Sequence, residues 1–203
     1  VINVASTLSV DENTTSVASI STTDVDSGDV LALTLTGTDA SSFDLSSSNQ
    51  LTFKVAPDYE TKNSYSLSFS LTDGTETVTK AISINIRNLN DIAPVINSST
   101  SFTIAENSSA IGTLSIVDPE GGTYTFTTGG TDGSLINVSS AGVMTFKTAP
   151  DFETKTSYSF TVSVSDGVNS STKTFTISIT NVDELPTVGY KVPPSIDVIE
   201  TKE

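Results

Sequence analysis

The chain has 203 residues and a formal net charge of −15 at pH 7, and it contains neither cysteine nor histidine. The missing cysteine excludes disulfides and thiol chemistry, and the missing histidine excludes an ordinary Ser-His-Asp catalytic triad. The acidity argues against nucleic acid, whose phosphates are bound by Lys and Arg. No apolar run approaches the ~20 residues of a membrane span, so we expect no membrane insertion.

Alternating apolar and small polar residues predict strands in both halves of the chain, and the clearest of them is a half-buried antiparallel strand in each half. In the first half, short strands are predicted near 17–22, 31–36 and 50–54. A long strand and a final strand follow, with apolar side chains at every second position: Tyr65, Leu67, Phe69 and Leu71, then Ile82, Ile84 and Ile86. The second half repeats the series, with short strands near 111–116, 123–127 and 142–147 and the alternating residues Tyr158, Phe160, Val162 and Val164, then Phe175, Ile177 and Ile179.

The chain contains an internal sequence repeat. The segment Ala-Pro-Asp-Tyr-Glu-Thr-Lys at 56–62 returns 93 residues later at 149–155, with Phe in place of Tyr (149 − 56 = 93). This period predicts repeats at 1–93 and 94–186, and 187–203 resembles the start of a truncated third repeat or a tail. Each full repeat is predicted to be a seven-stranded Greek-key β-sandwich of about 100 residues, so the fold class is all-β.

Acidic residues lie at the ends of the predicted strands. In the first repeat Glu12 follows the first strand, Asp58 and Glu60 precede the long strand, and Asn90 and Asp91 end the last strand. The second repeat adds three acids from its opposite end: Asp118, Glu120 and Asp166. Oxygen ligands without His or Cys are the set that Ca²⁺ prefers, so we expect a Ca²⁺ site where the two repeats join.

These motifs resemble those of the cadherin-repeat family. The matching features, in family order, are Glu12, the Asp24-Val25-Asp26 pair, the Asp58-Tyr59-Glu60 turn, Asp73, and the linker 88–92 before Pro94. The resemblance covers nearly the full chain and is strongest with the repeats of bacterial surface adhesins and large secreted repeat proteins. It implies an immunoglobulin-like sandwich in each repeat and a Ca²⁺ junction.

The resemblance also implies which residues bind the ion. The junction ligands would be Glu12, Asp58, Glu60, Asn90, Asp91, Asp118, Glu120 and Asp166, with Leu89 and Ile92 offering main-chain carbonyls. Weaker half-sites would face a preceding and a following repeat, and they comprise Asp24, Asp26, Asp73, Glu106, Asp151, Glu153, Asp183 and Glu184. Asn88 and Ile92 depart from the family linker, which leaves the number of ions open between one and three.

The expected function is non-enzymatic: a Ca²⁺-rigidified extracellular or cell-surface repeat pair that extends a long adhesin. Its expected partners are neighbouring repeats of the same chain, with homophilic or glycan contacts as further possibilities. The alternative is a carbohydrate-binding module of a secreted polysaccharide-active protein, with Tyr59, Tyr124 or Phe152 as the stacking residue, although the chain has no Trp. The glycine-rich segment 129–133 predicts a flexible hairpin rather than a calcium-binding roll.

Overall fold

The computed structural model describes residues 1–26, 28 and 30–184. Its strands form two series, one from each predicted repeat. The segment 187–203, expected to start a third repeat or to be a tail, lies outside the described residues. Within the described part of the chain, no helix is long and apolar enough to cross a membrane.

The first series contains short strands, a 3₁₀ turn and two long strands. They are β1 (Ile2–Asn3), β2 (Thr7–Asp11), β3 (Ser16–Ser19), β4 (Ser21–Thr22), β5 (Ala32–Thr36), the 3₁₀ turn Ala40–Ser42, β6 (Phe43–Leu45), β7 (Gln50–Phe53), β8 (Ser64–Thr72) and β9 (Thr77–Arg87).

The second series repeats this order. It comprises β10 (Val95–Ile96), β11 (Ser101–Ala105), β12 (Ala110–Thr113), β13 (Ile116–Val117), β14 (Thr125–Gly129), the 3₁₀ turn Gly133–Leu135, β15 (Ile136–Val138), β16 (Val143–Phe146), β17 (Ser157–Ser165) and β18 (Ser170–Thr180).

Strand pairing is the same in both series. A four-stranded sheet has the order β2-β9-β8-β5 in the first series and β11-β18-β17-β14 in the second. The other layer contains β3-β7-β6 or β12-β16-β15, with β1 paired to β4 and β10 paired to β13. If β1 with β2 and β3 with β4 are each counted as one interrupted strand, every series has the seven strands of an immunoglobulin-like sandwich. The predicted all-β fold of tandem sandwiches is confirmed.

The alternating residues form the core, as the sequence predicts. In β8, Leu67, Phe69 and Leu71 are 1%, 0% and 3% exposed, and their serine neighbours point the other way. In β17, Phe160 and Val162 are equally buried. Full burial of such a side chain stabilises the fold by about 1.5–3 kcal/mol relative to exposure, so these two strands anchor their sandwiches.

Two features of the fold differ from expectation. The three-residue strands β6 and β15 were not predicted, because three residues are too few to display an alternating pattern. The hairpin expected at 129–133 is wrong: the segment leaves β14 and enters β15 through the 3₁₀ turn, and these strands belong to different sheets. It is therefore a crossover between layers.

The chain divides into two compact units. The first contains Val1–Asn97, Ser115–Phe126 and Ser163–Thr172, and the second contains Ser98–Leu114, Thr127–Val162 and the chain from Lys173 onward. The first unit thus includes the segment after β9, the loop after β13 and the β17–β18 hairpin. All the residues predicted to form the junction lie within this unit.

Candidate metal centre

Glu12 is the buried centre of a first acidic group. It directly follows β2 and is 1% exposed. Its Oε2 accepts a hydrogen bond from the N–H of Tyr59 at 2.8 Å, and its Oε1 accepts one from the N–H of Leu89 at 2.7 Å. Hydrogen bonds to both oxygens offset the cost of burying this charge. Glu12 therefore fastens the turn before β8 and the segment after β9 to the end of β2.

Asn13 positions a second carboxylate beside Glu12. Its φ is 61°, a left-handed conformation that Asn tolerates better than most residues. Its N–H donates to the carbonyl of Pro57 at 2.9 Å, and its Nδ2 donates to Oδ2 of Asp91 at 2.5 Å. The turn at Asn13 therefore holds Asp91 at the end of β2.

Three carboxylates converge at this point. Glu12, Glu60 and Asp91 each offer an oxygen, and the three oxygens lie within 4.8 Å of one another. The structure thus brings together three of the predicted ligands from three separate segments of the chain.

Asp58 lies next to this group but is not one of the three. Its Oδ1 accepts from the N–H of Thr61 at 3.2 Å and its Oδ2 accepts from the Thr61 hydroxyl at 2.9 Å. These bonds from the Thr61 side chain and backbone lower the pKa of Asp58. Asp58, which the sequence predicts to be a ligand, therefore also stabilises its own turn through Thr61.

Several negatively charged side chains lie close to Glu60. Loss of hydration raises the pKa of Glu60, and the negative charges of Glu12, Glu120 and Asp58 raise it further. Glu120 belongs to the loop after β13, so Glu60 is the side chain that connects the first acidic group with the residues contributed by the second repeat.

The loop after β13 contributes a second group of oxygens. The N–H of Ile92 points between the two carboxylate oxygens of Glu120, at 3.2 and 3.4 Å. The N–H of Glu120 donates to Oδ1 of Asp118 at 3.1 Å, while Oδ2 of Asp118 is buried and has no hydrogen-bond partner. A buried carboxylate oxygen without a donor is costly, which makes Asp118 a candidate ligand.

Asp166 approaches the same point from the β17–β18 hairpin. Although loss of hydration raises its pKa, the N–H groups of Val168 and Asn169 and the side chain of Asn90 together lower it. Both backbone donors lie 2.7 Å from Oδ1. Oδ2 remains directed toward the segment after β9.

The Asn90 carboxamide lies between Asp166 and Glu120. With its amide nitrogen toward the acids, it donates to Oδ2 of Asp166 at 3.0 Å and to Oε2 of Glu120 at 3.2 Å. Such charge-assisted hydrogen bonds stabilise the ionised carboxylates, in agreement with the lowered pKa of Asp166. Asn90 therefore connects the β17–β18 hairpin with the loop after β13.

The aromatic residues considered for sugar stacking are half-buried: Tyr59, Tyr124 and Phe152. Loss of hydration and the nearby charges of Asp118 and Asp166 raise the pKa of Tyr124. The Tyr124 hydroxyl thus lies close to the second acidic group.

The second repeat has an acidic group of the same construction. Glu106 is 3% exposed, and its carboxylate accepts from the N–H of Phe152 at 2.8 Å and from that of Val182 at 2.7 Å. Glu106, Asp151 and Glu153 offer oxygens that lie within 4.8 Å of one another. Two asparagines donate into this region: Asn181 to Glu153 at 2.8 Å and Asn107 to Glu184 at 2.9 Å. Asp183 is exposed.

The remaining predicted residues lie at the opposite end of the first sandwich. Asp24, Asp26 and Asp73 line a surface depression of about 460 Å³ together with Val25, which is 94% exposed. Oδ1 of Asp24 accepts from the N–H groups of its next two neighbours, and Oδ1 of Asp73 accepts from those of Thr75 and Glu76. The structure brings these three acids to one surface.

An ion pair in each repeat was not predicted. Lys62, the last residue of the repeated seven, lies 2.5 Å from Asp39 and 4.6 Å from the centre of the Tyr65 ring. Lys155 makes the same contacts with Asp132 and Tyr158, at 2.5 and 4.8 Å. The Lys that ends both copies of the seven-residue segment was the sequence feature from which these ion pairs could have been predicted.

The contacts of Asn169, which precedes β18, and of Ser171, the second residue of that strand, were also not predicted. Asn169 Nδ2 donates to the carbonyl of Asn90 at 3.1 Å, and the Ser171 hydroxyl donates to the carbonyl of Pro94. Glu76 and Val78 occupy the equivalent positions of the first repeat, so the internal comparison offered no signal for them.

Solved structures of cadherin ectodomain segments share the fold. Human protocadherin-24 EC1-2 aligns with a TM-score of 0.76 at 17% identity, over 88% of this chain and 95% of that one. Mouse cadherin-23 EC22-24 aligns at 0.72 and 17%, over 90% and 64%. The human desmocollin-1 ectodomain aligns at 0.68 and 18%, over 88% and 41%. The chain thus has the fold of cadherin-like tandem repeats, as the motifs predict.

Sequence comparison points in a compatible direction. Residues 90–180 match the family model described as a bacterial Ig domain, and this range contains the strands β10 to β18. No curated protein matches the chain. Immunoglobulin-like and cadherin-like sandwiches share the two-sheet architecture described above.

Proposed function

We propose that this chain is a Ca²⁺-rigidified pair of cadherin-like repeats that acts as an extender or adhesion module of a long extracellular adhesin. The observation that supports this best is the convergence of Glu12, Glu60 and Asp91, whose carboxylate oxygens lie within 4.8 Å of one another. Three carboxylates at that spacing repel one another unless a cation lies between them.

The proposed ligands come from both repeats. They are Glu12, Glu60, Asn90, Asp91, Asp118, Glu120 and Asp166, with Asp58 beside them and the carbonyls of Leu89 and Ile92 as main-chain contributors. Carboxylate, amide and carbonyl oxygens on irregular loops suit Ca²⁺, which accepts six to eight oxygens in flexible geometry, whereas Mg²⁺ demands a near-ideal octahedron.

The mechanism follows from electrostatics. Carboxylates from the first repeat, the segment after β9 and the second repeat repel one another. Loss of hydration raises the pKa of Glu60, and the charges of Glu12, Glu120 and Asp58 raise it further. A divalent ion that contacts all three segments replaces repulsion with attraction. Binding then stabilises the folded chain by RT ln(1 + [Ca²⁺]/Kd), about 2.7 kcal/mol when the ion is at 100 times Kd.

The proposed location is extracellular or at the cell surface. Extracellular Ca²⁺ modules bind with Kd of order 10⁻⁴–10⁻³ M, and such affinity is useful only where calcium is millimolar. The proposed partners are neighbouring repeats of the same protein, with homophilic contacts as a further possibility, and the proposed role is mechanical rather than catalytic.

A calcium titration by calorimetry tests this function. We expect the intact chain to bind Ca²⁺, and Asp166→Asn and Asp91→Ala each to weaken binding at least tenfold. Asp44→Asn is the charge-matched control, because Asp44 is exposed on β6 and pairs only loosely with Lys54 at 3.9 Å. An absence of binding heat in the unmodified chain, or equal weakening in all three variants, would contradict the proposal.

Small-angle scattering and thermal melting test independently whether Ca²⁺ rigidifies the chain. Ca²⁺ should raise the melting temperature and narrow the distribution of particle dimensions relative to chelator. Identical melting curves and scattering profiles in the two conditions would exclude rigidification by the ion.

A further inference from the structure

Small hydroxyl side chains cover the outward side of the four-stranded sheet of the first repeat. The outward positions are the even-numbered residues of β5 and β8 and the odd-numbered residues of β2 and β9, which alternate with the core residues and are exposed or half-buried. They are Ser, Thr, Ala and Asn, apart from Asp11 and Arg87, which pair with each other at 2.6 Å where β2 and β9 end. We call this surface the hydroxyl face.

The second repeat has a hydroxyl face of the same kind. Its outward positions are the odd-numbered residues of β11, β14 and β17 and the even-numbered residues of β18. All of them are Ser, Thr, Ala or Gly. Ala105 and Thr180 pair where the first repeat has Asp11 and Arg87. A broad surface without net charge is therefore present in both copies.

The hydroxyl faces contrast with the rest of a chain whose net charge is −15. In the strands that the structure describes, the acids are Asp11 and Asp44, and the other described acids lie in turns and in segments between strands. Two copies that approach each other through those turns bring like charges together, which is repulsive. Two copies that approach through their hydroxyl faces avoid this repulsion.

Hydroxyls of the face are hydrogen-bonded within the sheet, which lowers the cost of covering them. Thr34 and Thr36 donate to carbonyls of β8 at 3.3 and 3.1 Å, and the Ser83 hydroxyl donates to that of Thr7 at 3.2 Å. A hydroxyl that keeps its hydrogen bond when water is removed avoids most of the desolvation penalty. The threonine methyl groups then provide apolar contact.

The size and shape of the face favour a weak contact with a second face of the same kind. Four strands about 4.8 Å apart, with five or more residues at about 3.3 Å each, cover about 400 Å². A stable interface buries about 800 Å² on each partner. Twisted sheets match each other when they pack at about −30°. The outward positions carry no aromatic residue on which a sugar ring could stack, which disfavours a glycan as the occupant.

We propose that the hydroxyl face is a side-by-side docking surface for a second copy of this chain. The inference rests on the proposed adhesion role, to which it adds a surface for contact between copies, and it does not require a bound ion. Because one face binds weakly, the contact becomes effective when copies are held close together on one surface and several repeats engage at once. The acidic turns keep free chains apart, and the hydroxyl faces let neighbouring chains pack.

Sedimentation equilibrium of the intact chain tests this inference. The chain is measured in chelator at concentrations up to about 1 mM, where a contact with a Kd of that order is half formed. We expect reversible association that strengthens as the ionic strength rises from about 0.01 M to about 1 M, because salt screens the acidic turns. A chain that stays monomeric at about 1 M ionic strength would overturn the inference.

A negative charge placed on each face should block association. Thr79 and Thr172 are equivalent, exposed outward residues of β9 and β18, and the pair of substitutions Thr79→Glu and Thr172→Glu should lower the association constant about fivefold or more. The matched control is Thr52→Glu with Thr145→Glu, at equivalent positions of β7 and β16 in the other layer. It should change the constant less than about twofold. An equal loss in both variants would contradict the assignment to the hydroxyl face.

Mixing oppositely charged variants shows whether the face meets a second copy of itself. Chains with Thr79→Lys and Thr172→Lys, mixed with chains that carry Glu at both positions, should associate about fivefold more tightly than either variant alone. The mixture is measured at about 0.1 M ionic strength, where the Debye length is about 10 Å and a charge pair in contact is still felt. No gain in the mixture would overturn the inference.

Two further measurements separate this inference from the proposed Ca²⁺ function and from glycan binding. Loss of association with Ca²⁺ binding retained removes the inference and leaves the ion function in place, whereas association by a chain that binds no Ca²⁺ does the reverse. The Glu variants should bind Ca²⁺ with a Kd within about twofold of the unmodified chain. A soluble polysaccharide that shifts the amide resonances of Thr79 and Thr172, in a chain that does not self-associate, would assign the face to a glycan and overturn the inference.

Discussion

The two acidic groups that contain Glu12 and Glu106 share one arrangement of hydrogen bonds, which we call the glutamate frame, and differ in their surroundings. In both, a buried glutamate accepts two backbone hydrogen bonds at nearly identical distances, from the turn before the long strand and from the segment after the last strand. In both, the asparagine after that glutamate donates to an acid that follows the last strand, Asn13 to Asp91 and Asn107 to Glu184. The copies differ at the glutamate of the repeated turn. Asn181 donates to Glu153, whereas Glu60 lies near Glu120, and loss of hydration and then negative charge raise its pKa.

This difference separates what each repeat encodes alone from what the pair creates. The glutamate frame is present in every copy because it connects segments of a single sandwich. The excess of charge arises where the loop after β13 adds Glu120. The sequence predicts a strong site in the first copy and a weak site in the second, and the experiments below break or sharpen that comparison.

The largest effect is expected from removing the buried glutamates. Glu12→Ala and Glu106→Ala each leave two backbone N–H groups without their charged acceptor, so each should lower the free energy of unfolding by about 3 kcal/mol or more. Urea denaturation in chelator measures this without any contribution from an ion. A small effect at either position would show that the frame is not shared.

The stabilisation of Glu12→Ala and Glu106→Ala by Ca²⁺ distinguishes the two copies. Adding Ca²⁺ should stabilise Glu106→Ala almost as much as the unmodified chain, and Glu12→Ala much less. Equal responses of the two variants would remove the predicted inequality between the copies.

An intermediate effect is expected from the ion pairs beside the repeated turn. Asp132 is 5% exposed, and although burial raises its pKa, hydrogen bonds from Lys155 and Ser159 lower it overall. Hydrogen bonds from Lys62 and Ser66 lower the pKa of Asp39 in the first repeat. Asp132→Asn should cost about 1.5–3 kcal/mol and Asp39→Asn somewhat less, because Asp39 is more exposed.

The pH dependence of these pairs has a definite sign. A carboxylate whose pKa is lowered in the folded state contributes stability that is present above its unfolded pKa, near 3.8, and is lost as the pH falls toward the folded value. Unfolding measured between pH 6 and pH 3 should therefore be less steep for each Asn variant than for the unmodified chain. Parallel curves would show that the ion pair contributes nothing.

The smallest effect is expected from Tyr59→Phe, which makes the two seven-residue segments identical. Glu12 is bound by the backbone N–H of Tyr59, so the hydroxyl is not needed for the frame. Stability and Ca²⁺ affinity should change by no more than about 0.5 kcal/mol. A larger loss in either measurement would give the Tyr59 hydroxyl a role that separates the copies.

Much of the fold could be predicted because alternation and repetition are visible in the sequence. Leu67 and Phe69 are buried for the same reason that they alternate with serines, and the 93-residue period places the second sandwich. The short strands β6 and β15 carry too few residues for a pattern, and the crossover at 129–133 resembles a hairpin because glycine suits both.

The candidate site was predictable by residue type and less so by role. Glu12 was predicted to be a ligand, but its two backbone partners could not be predicted because they depend on the long-range approach of β2, the turn before β8 and the segment after β9. Asn169 is uncharged, and the equivalent residue of the first repeat is Glu76, so neither charge nor repetition identifies Asn169. Its hydrogen bond to the carbonyl of Asn90 depends on the approach of the β17–β18 hairpin to the segment after β9.

The parallel pairing of β2 with β9 has a mechanical consequence. Five residue pairs, from Thr7 with Ser83 to Asp11 with Arg87, connect β2 to β9, the last strand of the series, and β11 with β18 repeats the arrangement over five pairs. When a repeat is pulled at its two ends, tension enters near β2 and leaves through β9, in opposite directions along parallel strands. The interstrand hydrogen bonds are then sheared together instead of being unzipped one at a time, so each sandwich can bear load along the chain.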